Sequence, residues 1–404
     1  MTAQGRKRGI GASDSMLLEQ KDRKRLCIFC FYDTAGYVHD YIPALLSMLK
    51  PFLQDLIVVA NGSLDERGQG IFRRFTNRIY MHENLGFDAG AYRYAFLHCL
   101  WEDELLRYDE VILCNDTFFF LRESFAPVFA VAQTSGWDVW GLTGCFEDVF
   151  RHIQSYFLAF GRKVIEQGLL QEYFLQEIDG RTDNIGVVCA QFETGLFDFL
   201  DRTCRMNCGA LVDVNYADIY LDSYYCLRDH HVPVVKKKIF SAMHGDNANI
   251  MQTLSFIKYH TSYDVRMVLE FLSVKYGYCM NVEDILPSER YALPKKIGVS
   301  IRRSTDLEIE NFLADSKFYI YGAGIVACRA YWRYARGRAG FCGFIVSDGV
   351  QGKPDTLFGY PVFFLHEVKL FRECRLFVAV RTEYANEIMQ QFTSTEKDSI
   401  LRLF

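Results

Sequence analysis

Four polar clusters in the first third of the chain each follow an apolar run: Asp33-Thr34, Asn61-Gly62-Ser63, Asn84 to Tyr92 and Asn115-Asp116-Thr117. Carboxylates, amides and glycines in this pattern suit hydroxyl-rich or phosphorylated ligands. In ENLGFDAGAY, residues 83–92, two glycines let the backbone turn tightly and approach a ligand closely. Asn84 and Asp88 can bond ribose or sugar hydroxyls there, or merely cap the helix that follows. Asp116, in VILCNDTFFF, stands where a carboxylate at the end of a buried strand can hold a divalent metal, Mg or Mn, that bridges a diphosphate. Turn formation is the plainer explanation. Trp140 in DVWGLTG offers a flat face of the kind that stacks on sugar rings, and His152 and Gln154 lead the aromatic run RHIQSYFLAF. A core tryptophan and a satisfied buried histidine are the plainer explanation. Glu193, in QFETGLFDFL, is either a carboxylate favoured by a helix dipole or a general base within reach of an acceptor hydroxyl.

Near the other end, YIYGAGIVA contains Gly322-x-Gly324-x-x-Ala327, and Asp348 closes the next apolar run. This approaches the dinucleotide fingerprint, in which glycines admit a pyrophosphate and an acid holds a ribose. NAD(P) or another nucleotide is the ligand it suggests. The 13 cysteines are scattered through apolar runs and read as reduced core thiols. Cys27 and Cys30 have C-x-x-C spacing, but in a strand-like run that spacing sends them to opposite faces.

The elements that must position these residues alternate. RLCIFCFY, DLIVVANGS, RIYMH and DEVILCNDTFFF read as strands, separated by DYIPALLSMLKPF, a polar helix, and GAYRYAFLHCLWEDELLR. Such alternation predicts an α/β domain of Rossmann type with a mostly parallel sheet. Ligands bind such sheets where loops leave the carboxyl ends of the strands, which is where the four clusters fall. The expected organisation is a basic flexible leader over 1–24, a catalytic-type α/β domain over 25–240, a helical extension and linker over 241–312, and a small Rossmann-like domain over 313–404. The 404 residues carry a net charge of −5, which argues against nucleic acid as a partner. No run approaches 18 apolar residues, so no membrane span is expected. The leader lacks the apolar stretch of a secretion signal, which points to the cytoplasm. Its seven Lys/Arg against three Asp/Glu through residue 25 suit a solvated tail, or peripheral contact with the inner, anionic face of the cell membrane.

Taken in order, NGSLDE, ENLGFDAGAY, LCNDTFFF, DVWGLTG, HIQSYFLAF, FETGL and the late Ile285-Leu286-Pro287 resemble the rhamnan synthesis protein F family over about residues 24–290. The resemblance implies a GT-A-like glycosyltransferase of cell-wall and capsule polysaccharide synthesis. It would move a deoxyhexose, L-rhamnose from its dTDP donor, onto a lipid-linked or oligosaccharide acceptor. Carried over, Asn61, Asn84, Gly86 and Asp88 line the donor pocket. Asn115-Asp116 replaces the Asp-x-Asp of GT-A enzymes and leaves one carboxylate. Trp140, His152 and Gln154 face the sugar or acceptor, Glu193 is the base, and Asp138 is its rival. The implied step is one in-line displacement that inverts the anomeric centre. Residues 316–384 resemble an NAD(P)-binding-like unit appended to some polysaccharide enzymes. An NAD(P)-dependent sugar-modifying enzyme and a non-catalytic scaffold in polysaccharide assembly are the competing functions.

Overall fold

Strands form where β-branched and aromatic residues run together between polar turns. A computed structural model describes residues 22–146, 150–214, 218–241, 247–294, 304–368, 374–393 and 397–404. The leader therefore lies outside the described residues up to position 21. Strands β1 (Arg25–Tyr32), β2 (Asp55–Asn61), β3 (Ile79–His82) and β4 (Glu110–Asn115) pair in parallel in the order β3-β2-β1-β4. Beyond β4, the antiparallel β8 (Phe157–Gly161) separates it from β6 (Val139–Cys145), which carries the short β7 (His152–Ile153) and the parallel β9 (Cys208–Asp213).

Both faces of the sheet are covered, so its central strands read as continuous apolar runs. Alternate residues of β1 feed two cores. Cys27, Phe29 and Phe31 join one and Leu26, Ile28 and Cys30 the other. Cys27 and Cys30 thus face opposite ways, and both are free thiols.

Helix α1 (Tyr41–Leu49) buries Tyr41, Ile42, Leu45, Leu46 and Leu49 against the first core. Helix α2 (Glu66–Arg73) starts at Asp65, whose side chain accepts from the Gly68 amide. Helix α3 (Phe87–Tyr94) continues as a wider turn to Cys99 and then stops. One helix through Arg107 was the sequence expectation. It breaks because Glu104 turns inward, bonding Arg78 at 2.5 Å and the Trp101 amide at 3.0 Å.

VILCNDTFFF is not one strand either. It ends at Asn115, and Phe118–Phe120 (β5) leaves to pair antiparallel with β10 (Val234–Lys236). This break lets β5 and β10 form a separate two-stranded ribbon just beyond the carboxyl end of β4. Helix α4 (Ile185–Val188) runs into the wide-turn segment Cys189–Gly195. Helices α5 (Asn247–His260) and α6 (Arg266–Tyr276) place Leu254, Ile257, Val268 and Phe271 in the first core. They are part of the first half rather than an extension of it.

The C-terminal half begins with α7 (Asp306–Leu313), capped by a Thr305–Glu308 capping box. Its sheet has the order β13-β14-β12-β11-β15-β16, where β11 is Lys317–Tyr321, β12 Phe341–Val346, β13 Thr356–Leu357, β14 Tyr360–Phe364, β15 Cys374–Val378 and β16 Ile400–Arg402. All pairings are parallel except β13 with β14. Helix α8 (Ile325–Ala330), extended through Ala335, lies against α4 and its continuation.

Two glycines permit that approach. A Cβ on Gly186 would stand 2.9 Å from Cys328 Sγ, and one on Gly195 would stand 2.3 Å from Trp332 Nε1. Arg329 and Arg333, one turn apart on the helix, pair with Glu193 and Asp198, and Arg336, just past its end, pairs with Glu177. Phe150, Val187 and Ala190 of the first half share a core with Ile309, Phe318 and Ala327 of the second. Among the described residues no helix is long and apolar enough to cross a membrane.

Candidate active site

Where the β4 run breaks, its polar residues are tied inward. Asn115 accepts from the Thr117 amide at 3.1 Å and the Thr117 hydroxyl at 2.6 Å, and its Nδ2 donates to Asp88 Oδ2 at 2.8 Å. Asp88 sits in the first turn of α3. Burial pushes its carboxyl up to about 6. The Asn115 bond opposes that rise and the nearby charge of Glu193 adds to it.

Asp116, only 4% exposed, accepts Lys237 Nζ on its carboxylate at 2.6 Å and the Tyr41 hydroxyl on its carbonyl at 2.7 Å. The β5–β10 ribbon brings Lys236 over the same spot. Its ammonium donates to the Thr117 hydroxyl and lies 4.3 Å from the Tyr156 ring centre. Burial lowers the Lys236 pKa to about 7, against the pull of Glu193 and Asp88. Glu193 completes the cluster from the α4 continuation. It accepts from Ser155 Oγ at 3.0 Å and pairs with Arg329. Burial alone would raise its carboxyl, but Arg329 first and His152 next hold it below the ordinary range.

The arrangement is three carboxylates and two lysines at the carboxyl end of the parallel strands, where a diphosphate and a hydroxyl nucleophile can be held together. Asp88, Asn115, Asp116, Glu193 and the buried His152 are gathered there. His152 also bonds the Phe150 carbonyl through Nδ1 at 2.7 Å. Gln154 is half-buried on the same approach, its backbone amide bonded to Thr143 at 2.9 Å.

Other expected residues have different work. Asn61 is 1% exposed and pinned at both ends of its amide, to His82 Nδ1 at 2.8 Å and the Phe87 carbonyl at 2.9 Å. It anchors the start of α3 rather than lining a pocket. Gly86 has φ +68°, and a Cβ there would come within 2.9 Å of the Gly180 backbone. A crossing chain, not a ligand, requires this glycine. Asn84 is exposed on the loop before it.

Trp140 does not face a sugar. It is 1% exposed, donates to Glu110 Oε1 at 2.8 Å, and packs on Phe129 and Phe157 inside the first core. Asp138 is not a rival base. It precedes β6, at the amino end of a strand parallel to β4, and so lies on the opposite edge of the sheet. There it accepts from Lys163 Nζ and the Asn207 amide, both at 2.9 Å. Sequence reasoning missed Lys236, Lys237, Ser155 and Arg329. The available signal was the Lys236-Lys237-Lys238 run closing an apolar strand.

Among the described residues no three His, Cys, Asp or Glu side chains converge to hold a metal. The one carboxylate of Asn115-Asp116 already carries Lys237. The described residues do not by themselves fit a divalent-cation site.

In the C-terminal half, Gly322, Ala323, Gly324, Ser347, Lys353 and Tyr384 border a cleft of about 500 Å³. Gly322 has φ +122°, and a Cβ there would meet the Ala379 carbonyl at 2.9 Å, so packing alone demands it. Asp348 lies off that lining. It is exposed and engaged by His366, whose amide donates at 3.1 Å and whose Nδ1 lies at 2.7 Å. The acid that the fingerprint assigns to a ribose is therefore turned elsewhere, and NAD(P) finds no support in this arrangement.

A mixed, mostly parallel sheet covered on both faces, with its polar cluster at the strand carboxyl ends and a second α/β unit joined to it, defines a Rossmann-type α/β architecture. The model of the rhamnan synthesis protein F family matches residues 56–309, more than half of the chain, and the chain belongs to that family. It is 22% identical over 224 residues to virulence protein VirA of Vibrio anguillarum, covering 54% of this chain and 69% of that protein. Among solved structures, a cytidylyltransferase of Leptospira borgpetersenii shows 8% identity and a TM-score of 0.32, covering 63% of this chain and 95% of that one. Glucosyl-3-phosphoglycerate synthase of Mycobacterium tuberculosis, bound to Mg²⁺ and uridine diphosphate, shows 14% identity and a TM-score of 0.31, covering 60% and 82%. Likeness of that extent assigns no activity.

Proposed function

We propose that this chain transfers a sugar from a nucleotide-diphosphate donor to a hydroxyl acceptor, with L-rhamnose carried on dTDP as the donor and a lipid-linked or oligosaccharide acceptor. The observation that carries the reading is the gathering of Asp88, Asp116, Glu193, Lys236 and Lys237 at one end of the parallel sheet, in a chain of the rhamnan synthesis family. Glu193 is the base. Its low pKa keeps it ionised at neutral pH, and Ser155 and Arg329 fix its orientation. The acceptor hydroxyl gives its proton to Glu193 while its oxygen forms a bond to the anomeric carbon. The bond from that carbon to the diphosphate oxygen breaks, and the nucleoside diphosphate departs with the electron pair. One displacement of this kind inverts the anomeric centre. Holding nucleophile and electrophile in line supplies most of the rate, together with cationic groups facing the developing charge.

The test incubates the full chain with dTDP-, UDP- and GDP-sugars and an acceptor panel, with and without Mg²⁺ or Mn²⁺, and determines the anomeric configuration of any product by NMR. An inverted rhamnoside formed from dTDP-rhamnose is expected. A retained configuration would remove the single displacement, and turnover of another donor would remove rhamnose.

A further inference from the structure

We infer that Lys236 and Lys237 are the cations that receive the donor's diphosphate, so that this site binds nucleoside diphosphates without a divalent metal. The inference rests on the donor reading above and adds which groups neutralise the leaving group. Three observations carry it. The carboxylate placed to hold a cation, Asp116, already holds one: Lys237 Nζ stands 2.6 Å from Asp116 Oδ2, in an ion pair whose side chains are 17% and 5% exposed. Both lysines are built in rather than left on a solvated face. Lys236 is 5% exposed, lies on the Tyr156 ring and donates to Thr117, while the Lys237 amide bonds the Thr117 carbonyl at 2.9 Å. Finally, among the described residues nothing else supplies a metal's ligand set.

The two ammonium groups come from consecutive residues of one short ribbon, held across from Phe118 by the β5–β10 pairing. Asp116 and Thr117, at the break in the β4 run, each fix one of them. An arriving diphosphate would share Lys237 with Asp116 and draw charge onto Lys236. With its pKa near 7, Lys236 is largely neutral at pH 8. A bound anion raises a neighbouring ammonium's pKa, so binding at pH 8 takes up a proton. Asp88, near 6, is already ionised there and contributes little.

The experiment is calorimetry on the full chain with UDP, dTDP and GDP in EDTA at pH 8, repeated in buffers of different ionisation enthalpy and again with Mg²⁺ or Mn²⁺. One diphosphate is expected to bind in EDTA with net proton uptake. Lys237→Met is expected to weaken it about 10- to 100-fold, the worth of a charge-assisted hydrogen bond. Lys237→Arg retains most of the binding, and Lys236→Met abolishes the proton uptake. Asp116→Asn is expected to retain binding in EDTA, because it removes the anion that shares Lys237 with the diphosphate and leaves both lysines in place. Binding that requires the metal, is lost in Asp116→Asn and is unchanged in Lys237→Met would overturn the inference and leave the donor reading standing. No binding of any diphosphate under any condition would overturn both. Folding of each variant is read from its thermal transition, and Lys237→Arg controls for loss of structure.

Discussion

Asp88 and Glu193 are both carboxylates in one cluster, and their surroundings push them apart. Burial lifts Asp88 to about 6, whereas Arg329 and His152 hold Glu193 low. A carboxyl whose folded pKa is raised stabilises the fold fully below its unfolded pKa, near 4, and that contribution is lost as pH rises through about 6. Above pH 6 the ionised Asp88 is therefore a cost, on the order of 1–3 kcal/mol. Asp88→Asn is predicted to raise the melting temperature at pH 7.5, to change it little below pH 4, and to reduce transfer sharply. Melting curves at the two pH values and one turnover assay check this. Arg329→Met removes the main cation facing Glu193, so the base's pKa must rise and the acid limb of the pH–rate profile must move to higher pH. A merely structural role for Arg329 would lower activity without moving that limb. Glu193→Gln is expected to cut transfer about 10²–10⁴-fold, the usual contribution of a general base, while diphosphate binding measured by calorimetry persists.

At the scale of elements, the break at Asp116-Thr117 matters more than any strand. It releases β5 to pair with β10, 114 positions further on, and that pairing carries the two lysines to the site. The parallel strands were legible because burial on both faces makes them continuous apolar runs, and their carboxyl-end loops followed from that. Asp88, Asn115 and Asp116 could be singled out on those grounds, and Glu193 because it begins an apolar helical run. Lys236 and Lys237 could not, because a run of lysines usually reads as a solvated face and only a long-range pairing buries it. Trp140 and Asp138 were misjudged for one reason. Both lie on β6 or just before it, and only the strand's direction shows which residues are inside the core and which edge they face. The helix contact at Gly195 makes its own prediction. Gly195→Ala drives a methyl toward Trp332 Nε1, 2.3 Å from its ideal position. It should destabilise the chain by roughly 1–3 kcal/mol, and Trp332→Ala in the same chain should recover part of that loss in a denaturation cycle.

Over the whole molecule, the two halves are not separate modules joined by a tether. One apolar core takes residues from both, and three arginines on α8, its extension and the residue just past it pair with acids of the first half, one of them the proposed base. Unfolding is expected to be a single transition by circular dichroism and by tryptophan fluorescence, because loss of either half exposes the shared core. The C-terminal half thereby helps set the electrostatics of the candidate site, whatever its own cleft binds.

Donor turnover by the intact chain is the most direct test of the central claim. The assay follows release of dTDP from dTDP-rhamnose in the presence of acceptor, for the natural chain and for Glu193→Gln. Glycosyl transfer at this cluster predicts acceptor-dependent release in the first and a loss of at least about a hundredfold in the second. Equal release from both proteins would contradict it, as would transfer unaffected by charge removal at Asp88, Lys236 and Lys237 together.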